Sequence, residues 1–222
     1  SALGYKIEGL ELVCDETIDK KSSITTFYKY NSLFSMNELF KSEKIQIEAT
    51  SFTVSEPVGT YIIEPLIYKY ALDNEKKILK GEYDISEFNI DIIKLERIFI
   101  DKIFATEFYY ERNMYEDVSK HLYDISIMIR NDDIKKMLNN KEELNKLISY
   151  KREEEKSRIG GISQDKKIQD FNYMKLEFND KLINAFNRMQ RIYVLDDESI
   201  ITIEEVKNAL KVLLKIFKNN WK

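Results

Sequence analysis

Two segments determine how this sequence is interpreted: Leu95-Glu96-Arg97-Ile98-Phe99-Ile100-Asp101-Lys102-Ile103-Phe104-Ala105 and Ser119-Lys120-His121-Leu122-Tyr123-Asp124-Ile125. The spacing of the apolar residues predicts a helix in each segment. In the first helix, Lys102 falls in the same helical stripe as Leu95 and Ile98. This helix therefore carries a lysine where its pattern calls for an apolar residue.

The second helix shows a similar exception. Its apolar stripe is formed by Val118, Leu122 and Ile125, and Asp124 lies on the flank of that stripe. A half-buried lysine or aspartate costs desolvation free energy unless it pairs with another charge or with a ligand. We therefore predict that Lys102 and Asp124 face one cleft with their charged groups within about 6 Å, as a structural bridge or as part of a site.

The periodicity of the chain changes near residue 91. Residues 24–30 and 44–53 are predicted strands, since the first is rich in β-branched and aromatic residues and the second alternates, with Glu48 on its polar face. Residues 35–40 are predicted as a short helix or a bulged loop. Further along, helices are predicted near 91–110, 115–130, 132–139, 141–157, 174–193 and 203–219. The fold class is thus α+β, with an open mixed sheet followed by a helical lobe and a boundary between 1–90 and 91–222.

Composition narrows the class of protein. The 222 residues are 43% hydrophobic and 33% charged, which suits a helix-rich globular chain. The net charge of −4 means that any contact with RNA must come from a local basic patch. No apolar run approaches the roughly 18 residues of a membrane span. The single cysteine, Cys14, fits a reducing cytoplasm, where we expect this protein to be located.

The two segments resemble motifs of the AbiEii/AbiGii family of nucleotidyltransferase toxins. Residues 96–103 match that family's Arg-Thr-Phe-Trp-(Glu/Asp)-Lys-Ile helix, with Ile98 at the usual threonine position. Residues 119–124 match its (Ser/Arg)-(Arg/Lys)-His-x-Tyr-Asp helix start. Downstream, Lys151 and residues 170–174 are similar to a later lysine and to an Asp-Tyr-x-x-Met helix of the family. The resemblance extends from about residue 8 to the C-terminus.

The resemblance implies a function and a set of partners. Members of this family are the bacterial toxins of type IV toxin–antitoxin and abortive-infection systems. The implied reaction transfers a nucleotide from an NTP to an RNA acceptor, with tRNA the expected class, and uses Mg²⁺. A cognate antitoxin protein is the implied partner, and no membrane partner is expected. Residues 1–90 would then form the remaining part of a nucleotidyltransferase α/β core, and residues 91–222 a helical domain.

The resemblance also implies roles for individual residues. Lys102 and Asp124 match positions that are essential in the family, with Lys102 on the phosphates and Asp124 orienting it or acting as a general base. Glu48 is the implied metal carboxylate, and we expect it to open onto the same cleft as Lys102 and Asp124. Lys151, His121 and Lys120 are candidates for substrate contacts, although a lone histidine on a helix is more often structural.

Two elements of the family pattern are not found in this sequence: a glycine turn and an Asp-x-Asp strand. Gly160-Gly161 follows a helix and is interpreted as a helix stop. We therefore expect the sequence to begin just after that strand, and the chain alone to be inactive. The alternative function is a non-catalytic helical interaction module in which Lys102 and Asp124 form only a structural bridge. An antitoxin-like regulator is a weaker alternative, since no winged-helix signature is found.

Overall fold

A computed structural model describes residues 11–13, 17–20, 23–31, 44–50, 57–158 and 160–220. Its strands are β1 (Glu11–Leu12), β2 (Ile18–Lys20), β3 (Ser23–Lys29), β4 (Lys44–Thr50), β5 (Val58–Ile63) and β6 (Phe88–Ile93). Its α-helices are α1 (Leu66–Tyr70), α2 (Asp73–Tyr83), α3 (Leu95–Tyr110), α4 (Tyr115–Met128), α5 (Asp132–Asn139), α6 (Lys141–Ser157), α7 (Asp180–Tyr193) and α8 (Ile203–Asn220). The predicted α+β class with a helical C-terminal part is confirmed.

The strands form two sheets. In the first, β3 is the centre: β4 pairs antiparallel along its whole length, and β1 and β2 pair with opposite ends of β3. Glu48 of β4 lies directly opposite Thr25 of β3. The second sheet is the antiparallel pair of β5 and β6, with α1 and α2 inserted between its strands. The β-branched composition of the predicted strands 24–30 and 44–53 thus produces paired strands; residues 51–53 lie outside the described residues, as do residues 35–40.

The start of the first long helix was predicted too early. Asp91, Ile92 and Ile93 belong to β6, because they pair with Thr60, Gly59 and Val58 of β5. The helix begins at Leu95, after an extended residue at Lys94. The helix predicted near 174–193 begins at Asp180 instead, because residues 172–175 form a 3₁₀ turn that ends at Leu176 with a positive φ of 64°. The side chain of Asn179 caps the true start by accepting a hydrogen bond from the Leu182 amide.

The core lies in the helical part. Every fully buried apolar side chain of the described residues falls between Phe99 and Phe217. The described strands contribute none of these side chains, and apolar residues such as Ile45, Ile47 and Ile62 are exposed. The strand residues therefore add little to the hydrophobic stabilisation, which comes from the packing of α3 to α8. No helix of the described part is long and apolar enough to cross a membrane.

Two tight turns set the positions of the helices next to α3: the turn between α3 and α4, and the turn at the end of α6. Residues 111–114 connect α3 to α4 in a tight turn, in which Asn113 takes a positive φ of 56°. At the end of α6, Gly160 has a φ of +69°, and a Cβ atom on Gly161 would lie 2.2 Å from the Glu155 carbonyl oxygen. Only glycine fits so close to a main-chain carbonyl. The helix stop predicted for this pair is confirmed, since α6 ends at Ser157.

Candidate active site

Lys102 and Asp124 meet across the junction of α3 and α4. The Lys102 Nζ atom lies 2.6 Å from Asp124 Oδ2, and the two side chains are 28% and 36% exposed. The predicted proximity of the two charges is therefore confirmed. At this exposure the ion pair is partly screened by water, so its contribution to folding is modest. Its charges also remain accessible to a ligand.

The packing of α3 explains why Lys102 is only half-buried. The side chains of α3 that enter the core are Phe99, Ile100, Ile103 and Phe104. The stripe predicted to be apolar, which holds Leu95, Ile98 and Lys102, lies on the flank of this buried face. On α4 the predicted stripe is correct, because Val118, Leu122 and Ile125 are fully buried. Lys102 thus projects from the edge of the helix interface.

The pair lines a cleft of about 700 Å³. Its lining includes Lys102, Lys120, His121, Tyr123, Asp124 and Tyr193. Clefts of this volume are typical of small-molecule sites, which fall at roughly 300–1,000 Å³. Two of the predicted substrate-binding residues, Lys120 and His121, are therefore brought together with the predicted catalytic pair.

His121 is a neutral side chain in this cleft. Burial, and after it the nearby Lys102 cation, lowers the pKa of His121 to about 4. Its ring stacks on Tyr109, with centroids 5.5 Å apart and planes at 27°. Its Nδ1 atom is buried without a hydrogen-bond partner in the described part of the chain. His121 therefore adds no positive charge next to Lys102 at neutral pH.

Lys120 lies at the edge of the same cleft and is more exposed than Lys102. Its Nζ atom is 3.6 Å from Asp117 Oδ1 and 5.7 Å from the centroid of the Tyr193 ring. The first contact is an exposed i,i+3 pair on α4, which stabilises a helix only weakly. Lys120 can therefore turn towards a ligand at small cost.

Lys151 is not among the residues that line this cleft. Its Nζ atom lies 3.3 Å from Asp101, 3.2 Å from Glu154 and 3.3 Å from Glu155. The fully buried Arg97 joins the same cluster, at 2.5 Å from Glu154 and 3.3 Å from Asp101. Burial raises the pKa of Asp101, against the effect of the Lys151 and Arg97 cations. With three carboxylates around it, Lys151 is placed as part of a structural ion cluster, and its substrate contact stays a prediction.

Glu48 lies on β4, exposed and outside the lining of the cleft, so the prediction that it opens onto the cleft of Lys102 and Asp124 is wrong. Among the described residues, no group of three or more His, Cys, Asp or Glu side chains is arranged to hold a metal ion. Within the cleft, the carboxylate of Asp124 is already paired with Lys102. The described residues alone therefore do not complete a Mg²⁺ site, and we assign no step to a metal. The role of Glu48 as a ligand stays a prediction.

Sequence reasoning missed a buried carboxylate behind the site. Glu107 is fully buried and accepts hydrogen bonds from the Asn172 amide at 2.9 and 2.8 Å and from Lys166 Nζ at 2.5 Å. It caps the 3₁₀ turn at 172–175 and so fixes that turn on α3. A glutamate among the apolar residues of 103–108 was the available signal. Its partners lie roughly 60 residues away, and no local pattern points to them.

Sequence reasoning also missed the far wall of the cleft. Met189, Tyr193, Val194 and Leu195 come from the end of α7 and the residues that follow it. Tyr193 and Leu195 are 62% and 89% exposed. In the sequence, this wall is indicated only by the apolar pair Val194 and Leu195 directly before Asp196.

The comparison with known families gave one result. The family model described as Nucleotidyl transferase AbiEii toxin, Type IV TA system, matches residues 9–211. Searches among curated proteins and among solved structures found no match.

Proposed function

The chain belongs to the AbiEii family of type IV toxin–antitoxin nucleotidyltransferase toxins, and on this premise we propose that it transfers a nucleotide from an NTP to an RNA hydroxyl, with tRNA as the acceptor. The reaction joins the acceptor oxygen to the α-phosphorus of the NTP and releases pyrophosphate. The proton of the acceptor hydroxyl passes to a base on the protein. Blocking of the RNA would then arrest growth until an antitoxin counters it.

One observation carries this proposal: the 2.6 Å contact of Lys102 Nζ and Asp124 Oδ2 inside an open cleft of about 700 Å³. A salt bridge that serves only to join two helices has no need of a cleft beside it. Here both charges remain partly exposed, and Lys120 lies at the same cleft. This supports a binding role for the pair.

The roles of the two residues follow from their chemistry. Lys102 is a compact cation that can move from Asp124 to a phosphate oxygen and offset the negative charge that develops during transfer. Asp124 holds Lys102 in place before the substrate binds. When Lys102 shifts to the phosphate, the Asp124 carboxylate is released and can accept the proton of the acceptor hydroxyl. The neutral His121 beside them does not compete for the phosphate as a cation.

The remaining parts of the proposal concern the whole enzyme. Mg²⁺ is the expected metal, with Glu48 as one ligand. Residues 1–90 would contribute part of the nucleotidyltransferase core, and residues 91–222 the helical domain with the Lys102–Asp124 pair. The cognate antitoxin is the expected protein partner, in the bacterial cytoplasm.

A second candidate function is a helical interaction module without catalysis. It is favoured by the short Lys102–Asp124 contact itself, because a closed pair joins α3 to α4 in the same way as a structural bridge. This alternative predicts that removing either charge lowers the stability of the fold and leaves nucleotide transfer unaffected.

The two functions are separated by measuring transfer and stability on the same variants. Labelled NTPs, Mg²⁺ and total tRNA are incubated with this chain and with the protein encoded by the complete gene, called the extended protein below. We expect transfer by the extended protein. Lys102→Ala and Asp124→Ala should abolish transfer with a small change in melting temperature, since such residues act mainly in the transition state. An extended Lys102→Ala protein that still transfers label would overturn the proposal.

A further inference from the structure

The wall of the cleft opposite Lys102 and Asp124 has no assigned role. Tyr193 is the last residue of α7, and it follows the buried Met189 by one helical turn. Leu195 comes two residues later and is 89% exposed. Exposing a tyrosine ring and a leucine side by side gives up the free energy that their burial would supply, so clustered exposure of this kind marks binding sites more often than single exposed residues do.

The segment that follows this wall is held by one hydrogen bond to α4 and by two bonds within the segment. Tyr123, one residue before Asp124, donates from its hydroxyl to the Ser199 carbonyl at 3.0 Å. Within the segment, Asp196 accepts from the Ser199 hydroxyl at 3.0 Å and from the Glu198 amide at 3.2 Å. The segment that carries Leu195 is therefore anchored to the helix that carries Asp124. The apolar wall and the charged pair form two sides of one cleft.

The chemistry of the two sides matches a nucleotide. An exposed aromatic ring offers a face for a nucleobase, and the apolar Val194 and Leu195 extend that surface. The Lys120 Nζ atom lies over the Tyr193 ring, 5.7 Å from its centroid, so a base that stacks on this face displaces Lys120 towards the phosphate attached to that base. A lysine beside apolar side chains also suits an anionic lipid surface, but a bilayer surface is flat, whereas this site is a cleft of small-molecule volume. The combination of ring and cation is typical of single-stranded nucleic acid and nucleotide sites.

We propose that Tyr193, extended by Leu195, is the base-stacking platform of this cleft, and that Lys120 binds the phosphate of the same nucleotide. The proposal rests on the function proposed above, because it supplies the positioning of a substrate at Lys102 and Asp124. The nucleotide is either the incoming NTP or the terminal nucleotide of the RNA, since both offer a base and a phosphate. Stacking on a ring face recognises every base, so the wall confers little base preference.

Equilibrium dialysis of the full 222-residue chain tests this. The probes are the four NTPs, a short single-stranded RNA and inorganic tripolyphosphate, which has no base. We expect Tyr193→Ala to weaken binding of base-bearing probes by about 5- to 150-fold, the range for loss of one aromatic stack. Tyr193→Phe should retain the affinity, because the ring face remains. Tripolyphosphate should bind Tyr193→Ala as it binds the unchanged chain.

Tyr83→Ala is the matched control, since Tyr83 is 64% exposed and lies at the end of α2, away from the cleft lining. A loss confined to the NTPs identifies the donor as the bound nucleotide, and a loss confined to RNA identifies the acceptor. Unchanged affinity of Tyr193→Ala for all base-bearing probes, or an equal loss in Tyr83→Ala, overturns the inference.

The outcome is separable from that of the proposed function. If the chain and the extended protein bind nucleotides through Tyr193 but never transfer them, base stacking on Tyr193 is supported and the transferase function is refuted. If the extended protein transfers nucleotides and its Tyr193→Ala variant has the same KM and affinity, the transferase function is supported and base stacking on Tyr193 is refuted.

Discussion

The Tyr173 hydroxyl donates a hydrogen bond of 3.1 Å to the main-chain carbonyl of Ile103, the residue that follows Lys102. The Thr106 hydroxyl donates to the carbonyl of Lys102 itself at 2.7 Å. Both donors are fully buried residues. The turn of α3 that carries the site lysine is therefore held by a side chain 70 residues further along the chain.

Replacing Tyr173 by phenylalanine should lower stability by about 1 kcal/mol, because one buried hydroxyl-to-carbonyl hydrogen bond is lost while the ring remains. Urea denaturation measures the change. Tyr83→Phe, at an exposed position, is the control and should leave the midpoint where it is. A midpoint for Tyr173→Phe equal to that of the unchanged chain would show that this bond does not hold α3.

Exchanging the two charges of the site, as Lys102→Asp with Asp124→Lys, distinguishes a bridge from a catalytic pair. The exchanged pair can still form an ion pair, so the stability lost in either single variant should largely return; for a half-exposed pair that loss is at most about 1 kcal/mol. Transfer by the extended protein should stay at least roughly 10²-fold below normal, because a carboxylate would now face the phosphates. Recovery of transfer with the exchange would rule out the assigned roles.

Lys151→Met should destabilise the fold by roughly 3 kcal/mol or more. The substitution leaves Asp101, Glu154 and Glu155 without their shared cation in a mostly buried cluster, and breaking such a cluster is costly. Lys156→Met on the exposed face of α6 is the control, with little change expected. If Lys151→Met instead keeps the melting temperature and loses RNA binding, the substrate contact predicted from sequence is correct.

The stability of the chain should fall as the pH drops from about 6.5 to about 4, and His121 should account for up to about 3 kcal/mol of this fall. The unfolded chain binds a proton on this histidine near pH 6.5, whereas the folded chain does so only near pH 4. The contribution is thus fully present above pH 6.5 and is lost on acidification.

Comparing His121→Asn with the unchanged chain isolates this effect from the carboxylates that titrate in the same range. The variant should show a shallower dependence of unfolding free energy on pH. Because His121 is the only histidine, NMR can follow its titration directly. A folded-state midpoint near 6.5 would contradict the lowered pKa.

The helical part of the fold was largely predictable. Helices α5 and α6 have the predicted bounds. The helix predicted near 203–219 is α8, and it begins with a capping box in which the Glu205 amide donates to the Thr202 hydroxyl. Helices α1 and α2 were not predicted, because α2 has no buried residue in the described structure and so lacks an apolar stripe. The start of α3 was misplaced since pairing between β5 and β6 overrides the local 3.6-residue period.

The part of the site that lies on α3 and α4 was also predictable from local helical spacing. Lys102 and Asp124 stand out as charges in two adjacent helices, and a tight turn between those helices ensures that they meet. The contributions of Tyr193 and Glu107 depend on contacts over long sequence separations, which no local period encodes. Lys151 looks like a substrate residue in the sequence, but its surroundings are decided by how α6 packs on α3.

The fit of Gly161 against the Glu155 carbonyl has a consequence for mutational tolerance. Any side chain at position 161 must push the end of α6 outward. Glu155 and Glu154 would move with it, and they are the counter-ions of Lys151 and Arg97. A saturation-mutagenesis screen should therefore score this glycine as intolerant as a core position, while an exposed position of the same loop such as Asp165 accepts many substitutions.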